Sequence, residues 1–184
     1  MKPIEGYDLI NESGDFKQLP KGIYLVRLTN IVDVPEKEYL EVYCDIAKGE
    51  YTNYFKKMVD SGLKDSSKTV RSYKQNALPF FKSFITAVEK SNPSYNWDWD
   101  ETKLIGKFVI AVVSEEEYID KEGNIKVITR INSFRSIEAA KAGNITVPEC
   151  KKVTEEQLAA WRKEHETAET DSPITELNLD DLPF

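Results

Sequence analysis

The chain of 184 residues carries only two cysteines, Cys44 and Cys150, and one histidine, His165. A tetrahedral Cys/His zinc site needs four such ligands and is excluded. One disulfide is conceivable, but without a leader pointing to an oxidising compartment two buried thiols are expected. No apolar run approaches the ~20 residues of a membrane-spanning helix, so a soluble, cytoplasmic protein without membrane contact is expected. A Gly-rich phosphate loop, a Ser nucleophile elbow and a His-based pair are also missing. Catalysis would have only acids to work with: Glu115-Glu116-Glu117 with Asp120, Asp98-Trp-Asp100-Glu101, or the Glu-x-Lys triplet Glu149-Cys-Lys151. Such groups could hold Mg²⁺ in a nuclease. They also arise by chance in a chain that is 31% charged, so no enzyme, metal or cofactor is expected.

Charge is unevenly placed. Residues 154–184 hold nine acids against Arg162 and Lys163, which accounts for the whole net charge of −7. Residues 1–153 are neutral overall, and within them residues 53–82 carry seven bases against Asp60 and Asp65. A basic segment and an acidic tail on one chain suit an intramolecular competitor for a polyanion.

Ile23 to Ile31, after the turn at Leu19-Pro20-Lys21-Gly22, is rich in β-branched and aromatic residues and reads as a strand. Tyr39 to Ala47 is a second, with Leu40, Val42, Cys44 and Ile46 alternating against Tyr39, Glu41, Tyr43 and Asp45. Lys48-Gly49-Glu50 turns the chain, and Tyr51 to Lys57 is expected as its hairpin partner. Residues 58–76 lack periodicity and read as a long mobile loop. Leu78, Phe81, Phe84, Ile85 and Val88 give one buried face of a helix over 78–90, stopped by Asn92-Pro93. Phe108 to Val113 reads as a central strand. Ile125 to Phe134 reads as the last one, with Ile125, Val127 and Ile131 on one face and Lys126, Arg130 and Phe134 on the other. Thr154-Glu-Glu-Gln157 matches a capping box for a short helix over 154–166, where Leu158 and Trp161 would pin it. Residues 167–184 have the composition of a disordered acidic tail.

Three strands, a helix and two strands is the order of a five-stranded OB-fold, a mainly β Greek-key barrel, here expected over residues 1–153. Candidate nucleic-acid contacts are Tyr39, Tyr43, Tyr51, Tyr54, Lys56, Lys57, Arg71, Tyr73 and Lys74, with Phe55 expected in the core and Arg130 on the last strand. Exposed rings stack on unpaired bases and Lys or Arg neutralises phosphate, neither reading sequence, a combination suited to single strands. Trp97 and Trp99 sit among acids that repel phosphate and are expected to pack the helix exit against the barrel.

The segment Asp180-Asp-Leu-Pro-Phe184 resembles the acidic C-terminal tip of bacterial and phage single-stranded DNA-binding proteins. The runs Gly22-Ile-Tyr-Leu-Val-Arg-Leu28, Glu38 to Phe55, Phe80-Phe-Lys-Ser-Phe84 and Ser91-Asn-Pro93 resemble phage-encoded OB-domain proteins, some of them single-stranded DNA-binding. The resemblance implies phage DNA replication or recombination in a bacterial host's cytoplasm. It further implies recruitment of replication proteins by Asp180, Asp181, Leu182, Pro183 and Phe184. A metal-dependent nuclease and a protein-only adaptor or inhibitor mimicking that tip stay open, as does homo-oligomerisation.

Overall fold

The computed structural model describes residues 16–169. Strand β1 (Gly22–Val34) runs for 13 residues and buries Val26, Leu28 and Ile31. Its two-residue period slips between Leu28 and Asn30, where a bulge adds a residue and bends the strand. β1 pairs with one neighbour along each edge, and the two ladders are offset along it. Gly22 to Arg27 pair antiparallel with β4 (Phe108–Ile119), and Val26 to Val34 with β2 (Tyr39–Ile46). β3 (Lys68–Ser72) lines the far edge of β2, and β5 (Ile125–Arg135) that of β4. The result is one antiparallel sheet of order β3-β2-β1-β4-β5.

Three expected elements take their places. β2 buries Leu40, Val42, Cys44 and Ile46 on one face. β4 buries every residue from Val109 to Val113. Helix α2 (Leu78–Ser91) follows β3 and buries Phe81, Phe84, Ile85, Ala87 and Val88, which join Val109, Ala111 and Val113 of β4 and the buried face of β2 in one core. Asn92 ties the helix exit to the sheet, donating from Nδ2 to Phe108 O at 2.8 Å and accepting from Phe108 N at 3.1 Å. Leu78, expected on the buried face, is instead partly exposed.

The hairpin over 51–57 is overturned: Tyr54–Asp60 is helix α1, and Tyr54, Phe55 and Met58 are buried on it. The cause lies upstream, at Asp45. Its buried carboxylate accepts from Phe55 N at 3.0 Å and Lys56 N at 3.0 Å, as well as from Ile46 N at 2.8 Å. The unpaired first-turn N–H groups of α1 are thus satisfied by the end of β2, with no side-chain cap from Asn53. The partner of β2 is β3, inside the segment expected to be a loop. Its register runs from Tyr39 opposite Ser72 to Tyr43 opposite Lys68.

β5 also departs from its expected faces. Phe134 is buried, Ile131 packs partly on the same core, and Ile125 and Val127 are exposed. A short helix α3 (Ile137–Lys141) follows, with Ser136 Oγ accepting from Ala139 N at 3.1 Å. Cys44 is buried as expected, and burial pushes its thiol up to about 12, whereas Cys150, also expected to be buried, is partly exposed. No helix among the described residues is long and apolar enough to cross a membrane.

The described residues divide into two compact units, 16–115 with 129–150 and 116–128 with 151–169. In the second, α4 (Glu155–Glu169) outruns the expected helix and opens on the expected capping box. Gln157 N donates to Thr154 Oγ1 at 3.2 Å, and Thr154 N to Gln157 Oε1 at 3.0 Å. Trp161 stacks on His165 with ring centroids 4.0 Å apart. A Cβ at Gly123 would lie 2.9 Å from the Trp161 ring, and the residue has φ +84°, so only glycine suits the turn under that ring. Asp120 holds the same turn, accepting from Glu122 N at 3.0 Å, Asn124 N at 2.8 Å and Lys126 Nζ at 2.6 Å.

Two outcomes follow. Asp45→Ala leaves two first-turn donors of α1 in a buried setting without an acceptor, so a loss of about 2–4 kcal/mol is expected in denaturant titration, with Asp45→Asn recovering part of it. The Lys126 ammonium, then the Asn124 donors, hold the Asp120 carboxyl well below the usual carboxylate range. A depressed folded pKa gives a contribution that is complete above the unfolded value of about 4 and lost as pH falls through the folded one. Amide-exchange protection at Glu122 and Asn124 should therefore fall below pH ~4, and Asp120→Asn should abolish that pH dependence.

Candidate functional site

Alternation and register set out the face of β1, β2 and β3 that points away from the core. Val34, Tyr39 and Ser72 form one row, Val32, Glu41 and Val70 the next, and Asn30, Tyr43 and Lys68 a third. Val32 and Val70 are 40% and 44% exposed, so this face presents apolar surface as well as two tyrosines. Tyr39 and Tyr43 are four residues apart on one strand, a separation of about 13 Å. Between them, Glu41 accepts from the Tyr43 hydroxyl at 3.0 Å and from Lys68 Nζ at 2.9 Å. Lys68 and then the Tyr43 hydroxyl hold the Glu41 carboxyl below its ordinary range. The face is thus aromatic and close to neutral, with Lys68 engaged by an acid.

The other candidates are spread more widely. Tyr54 is buried and its hydroxyl accepts from Leu19 N at 3.0 Å. Tyr51 is half-buried against the rings of Tyr24 and Tyr54. Lys56 and Lys57 are exposed on α1, with Lys56 paired to Asp60 at 2.7 Å. Lys74 is exposed after β3, and Arg130 is exposed on β5. Tyr73 donates to Asp33 Oδ1 at 2.8 Å and sets its ring edge-on to Phe81. The bases of residues 53–82 therefore do not make one patch.

Arg71 faces the core instead of solvent. Its guanidinium lies 4.7 Å from the Phe134 ring centroid, so a β3 side chain covers a β5 side chain where the two ends of the sheet approach. Nη1 donates to Val70 O at 3.1 Å, while Nη2 is buried without a hydrogen-bond partner. Burial lowers its pKa to about 10.

A second surface is one that sequence reading assigned to packing. Leu40, Phe81 and Ile85 floor a groove of about 990 Å³ beside α2, with Tyr73, Trp97 and Trp99 along it. Its rings run in series: Phe81 lies 5.9 Å from Tyr73 and 6.3 Å from Trp97, and Trp97 lies 6.0 Å from Trp99. Trp97 is half-buried as expected, but Trp99 is 82% exposed. The dense aromatic segment Tyr95-Asn-Trp-Asp-Trp99 was the available signal.

The acids proposed for metal binding have other employment. Asp100 accepts from Thr102 N at 3.1 Å and caps the 3₁₀ turn Glu101–Leu104, and both Asp98 and Asp100 pair with Lys103. Glu115 pairs with Lys21 at 3.3 Å. Glu116 pairs with Lys151 at 3.2 Å, and Glu117 accepts from Val153 N at 3.0 Å. The tip Asp180–Phe184 lies outside the described residues. No protein-family profile matches the chain, and no curated protein matches it.

Arg71 separates a structural from a binding role. A cation–π contact contributes about 0.5–2 kcal/mol, whereas burying an unpaired charge costs several kcal/mol. Arg71→Met is expected to keep or raise the denaturation midpoint. A loss above 1 kcal/mol would show that the contact with Phe134 outweighs the burial cost.

Proposed function

We propose that the chain is a non-catalytic, sequence-tolerant binder of single-stranded DNA, with its sheet acting as an OB barrel. What carries the reading is the pair Tyr39 and Tyr43 on the outward face of β2, bordered by β3. In an OB-fold the β2–β3 face is the oligonucleotide surface. The strand order supports this barrel, since β3-β2-β1-β4-β5 with a helix between β3 and β4 becomes a closed ring once β3 meets β5. Arg71 over Phe134 bridges that gap by side chains, and OB barrels are often only partly hydrogen-bonded there.

Two half-buried phenol rings about 13 Å apart on the outward face suit bases that are not already stacked in a duplex. Lys37, Lys64 and Lys74 are exposed and available to phosphate near the same strands. In this reading the acidic tail competes weakly with DNA for the exposed lysines around that face. Its tip recruits replication or recombination proteins in a phage-infected bacterial cytoplasm.

The test is fluorescence anisotropy of labelled oligo-dT over a range of salt. Affinity should fall with a log–log slope of about −0.7 per phosphate contacted, and Tyr39→Leu or Tyr43→Leu should each cost about 1–3 kcal/mol. Glu41→Gln removes an acid and frees Lys68, so binding should tighten several-fold at low salt and less at high salt. Truncation to residues 1–172 should also tighten it at low salt. Absence of binding, or wild-type affinity in both tyrosine variants, would refute this assignment of the face.

A further inference from the structure

The groove along α2 has a chemistry opposite to that of a phosphate-binding surface. Three carboxylates, Asp33, Glu89 and Glu101, line it against one ammonium, Lys82. The field reaches further: burial first, then Asp33, Glu38 and Glu36, push the Tyr73 phenol up to about 12. At the other end burial, then Asp98, Glu89 and Asp100, do the same to Tyr95. A polyanion is repelled from such a site.

The groove is also built, at a cost. Trp99 has φ +68°, a left-handed backbone that a bulky residue adopts only when its surroundings impose it. The surroundings are Asp98 and Asp100, which Lys103 gathers from either side, so the Asp-Trp-Asp turn is clamped and its indole stands outward. An 82% exposed tryptophan held in this way gains nothing for the core. It adds a wall to an apolar trough that follows α2 from Leu78 to Glu89, about 16 Å at 1.5 Å per residue. That is the length of five extended residues or three helical turns, and 990 Å³ admits several side chains.

We propose that this groove docks a segment of a partner protein that combines apolar anchors with Lys or Arg. The apolar floor takes the anchors, and Trp97, Trp99 and the three carboxylates receive the cation by cation–π and charge pairing. The undescribed segments of this chain do not fit. Residues 170–184 carry four acids and no base, and residues 1–15 carry Lys2 against four acids. A partner's basic segment complements the groove's charge where these repeat it. The inference is independent of DNA binding, which uses the other face of the sheet.

The test pans a random dodecapeptide display library on the full-length chain. Enriched sequences should carry net positive charge and at least two large apolar residues, and a synthesised representative should bind and shift the tryptophan emission. Trp99→Ala and Glu101→Lys, both on the groove wall, should each weaken that peptide at least tenfold while oligo-dT affinity stays within twofold. The proposal is overturned by no enrichment, by enrichment of acidic or uncharged peptides, or by unchanged peptide affinity in Trp99→Ala. It is equally overturned if Trp99→Ala abolishes self-association of the chain, which would make a second copy the occupant.

Discussion

The bulge in β1 is the constraint that keeps one core running along the whole strand. A strand of 13 residues with a strict two-residue period would keep one set of alternate side chains inward along its whole length. The bulge between Leu28 and Asn30 shifts that set by one residue in the ladder to β2. The phase of the inward side chains along β1 depends on that one extra residue. The inward side chains change phase at the bulge, from Val26 and Leu28 to Ile31, so the core stays continuous through the bend.

A second dependency runs through Asp45. It sits at the end of β2, where alternation would place a solvent-facing side chain, yet it is buried because its carboxylate satisfies the start of α1. Covering α1 in this way brings Tyr54, Phe55 and Met58 into the core. Removing two aromatic side chains from water contributes several kcal/mol, which offsets the desolvation of one hydrogen-bonded carboxylate. The local sequence Tyr-Thr-Asn-Tyr-Phe has strand composition, and only a partner nine or more residues upstream makes it helical.

This explains where sequence reading held and where it did not. β2, β4 and α2 are legible because burial alone shapes them: period two on one face, a continuous apolar run, and a 3.6-residue stripe. The capping box of α4 is legible because both partners lie within four residues. α1 is not, since its cap is non-local, and β3 is not, since Lys68-Thr-Val-Arg-Ser72 is a short edge strand whose charges hide its pattern. Among the site candidates, Tyr39 and Tyr43 follow from alternation and stand where it puts them. Tyr54 was placed by assuming a hairpin that does not form and Arg71 by assuming a loop where β3 runs, and both face inward. The groove was hidden for a different reason: the acids around Trp97 and Trp99 argue against phosphate, but they do not argue against every ligand.

Net charge is a poor guide to such a molecule. Residues 1–153 sum to zero, yet the zero is made of unlike surfaces. On the outward face of β2, Glu41 and Lys68 cancel each other within one hydrogen-bonded set and leave rings and valines to dominate. Along α2, the carboxylates outnumber the ammonium and the rings lie among acids. The field of the acidic groove is effective over about 8–10 Å at physiological salt, so it acts on its own ligand almost independently of the near-neutral β2 face. A polyanion and a basic apolar segment would then be sorted to different faces by electrostatics before any close contact forms, and occupancy of one face need not exclude the other.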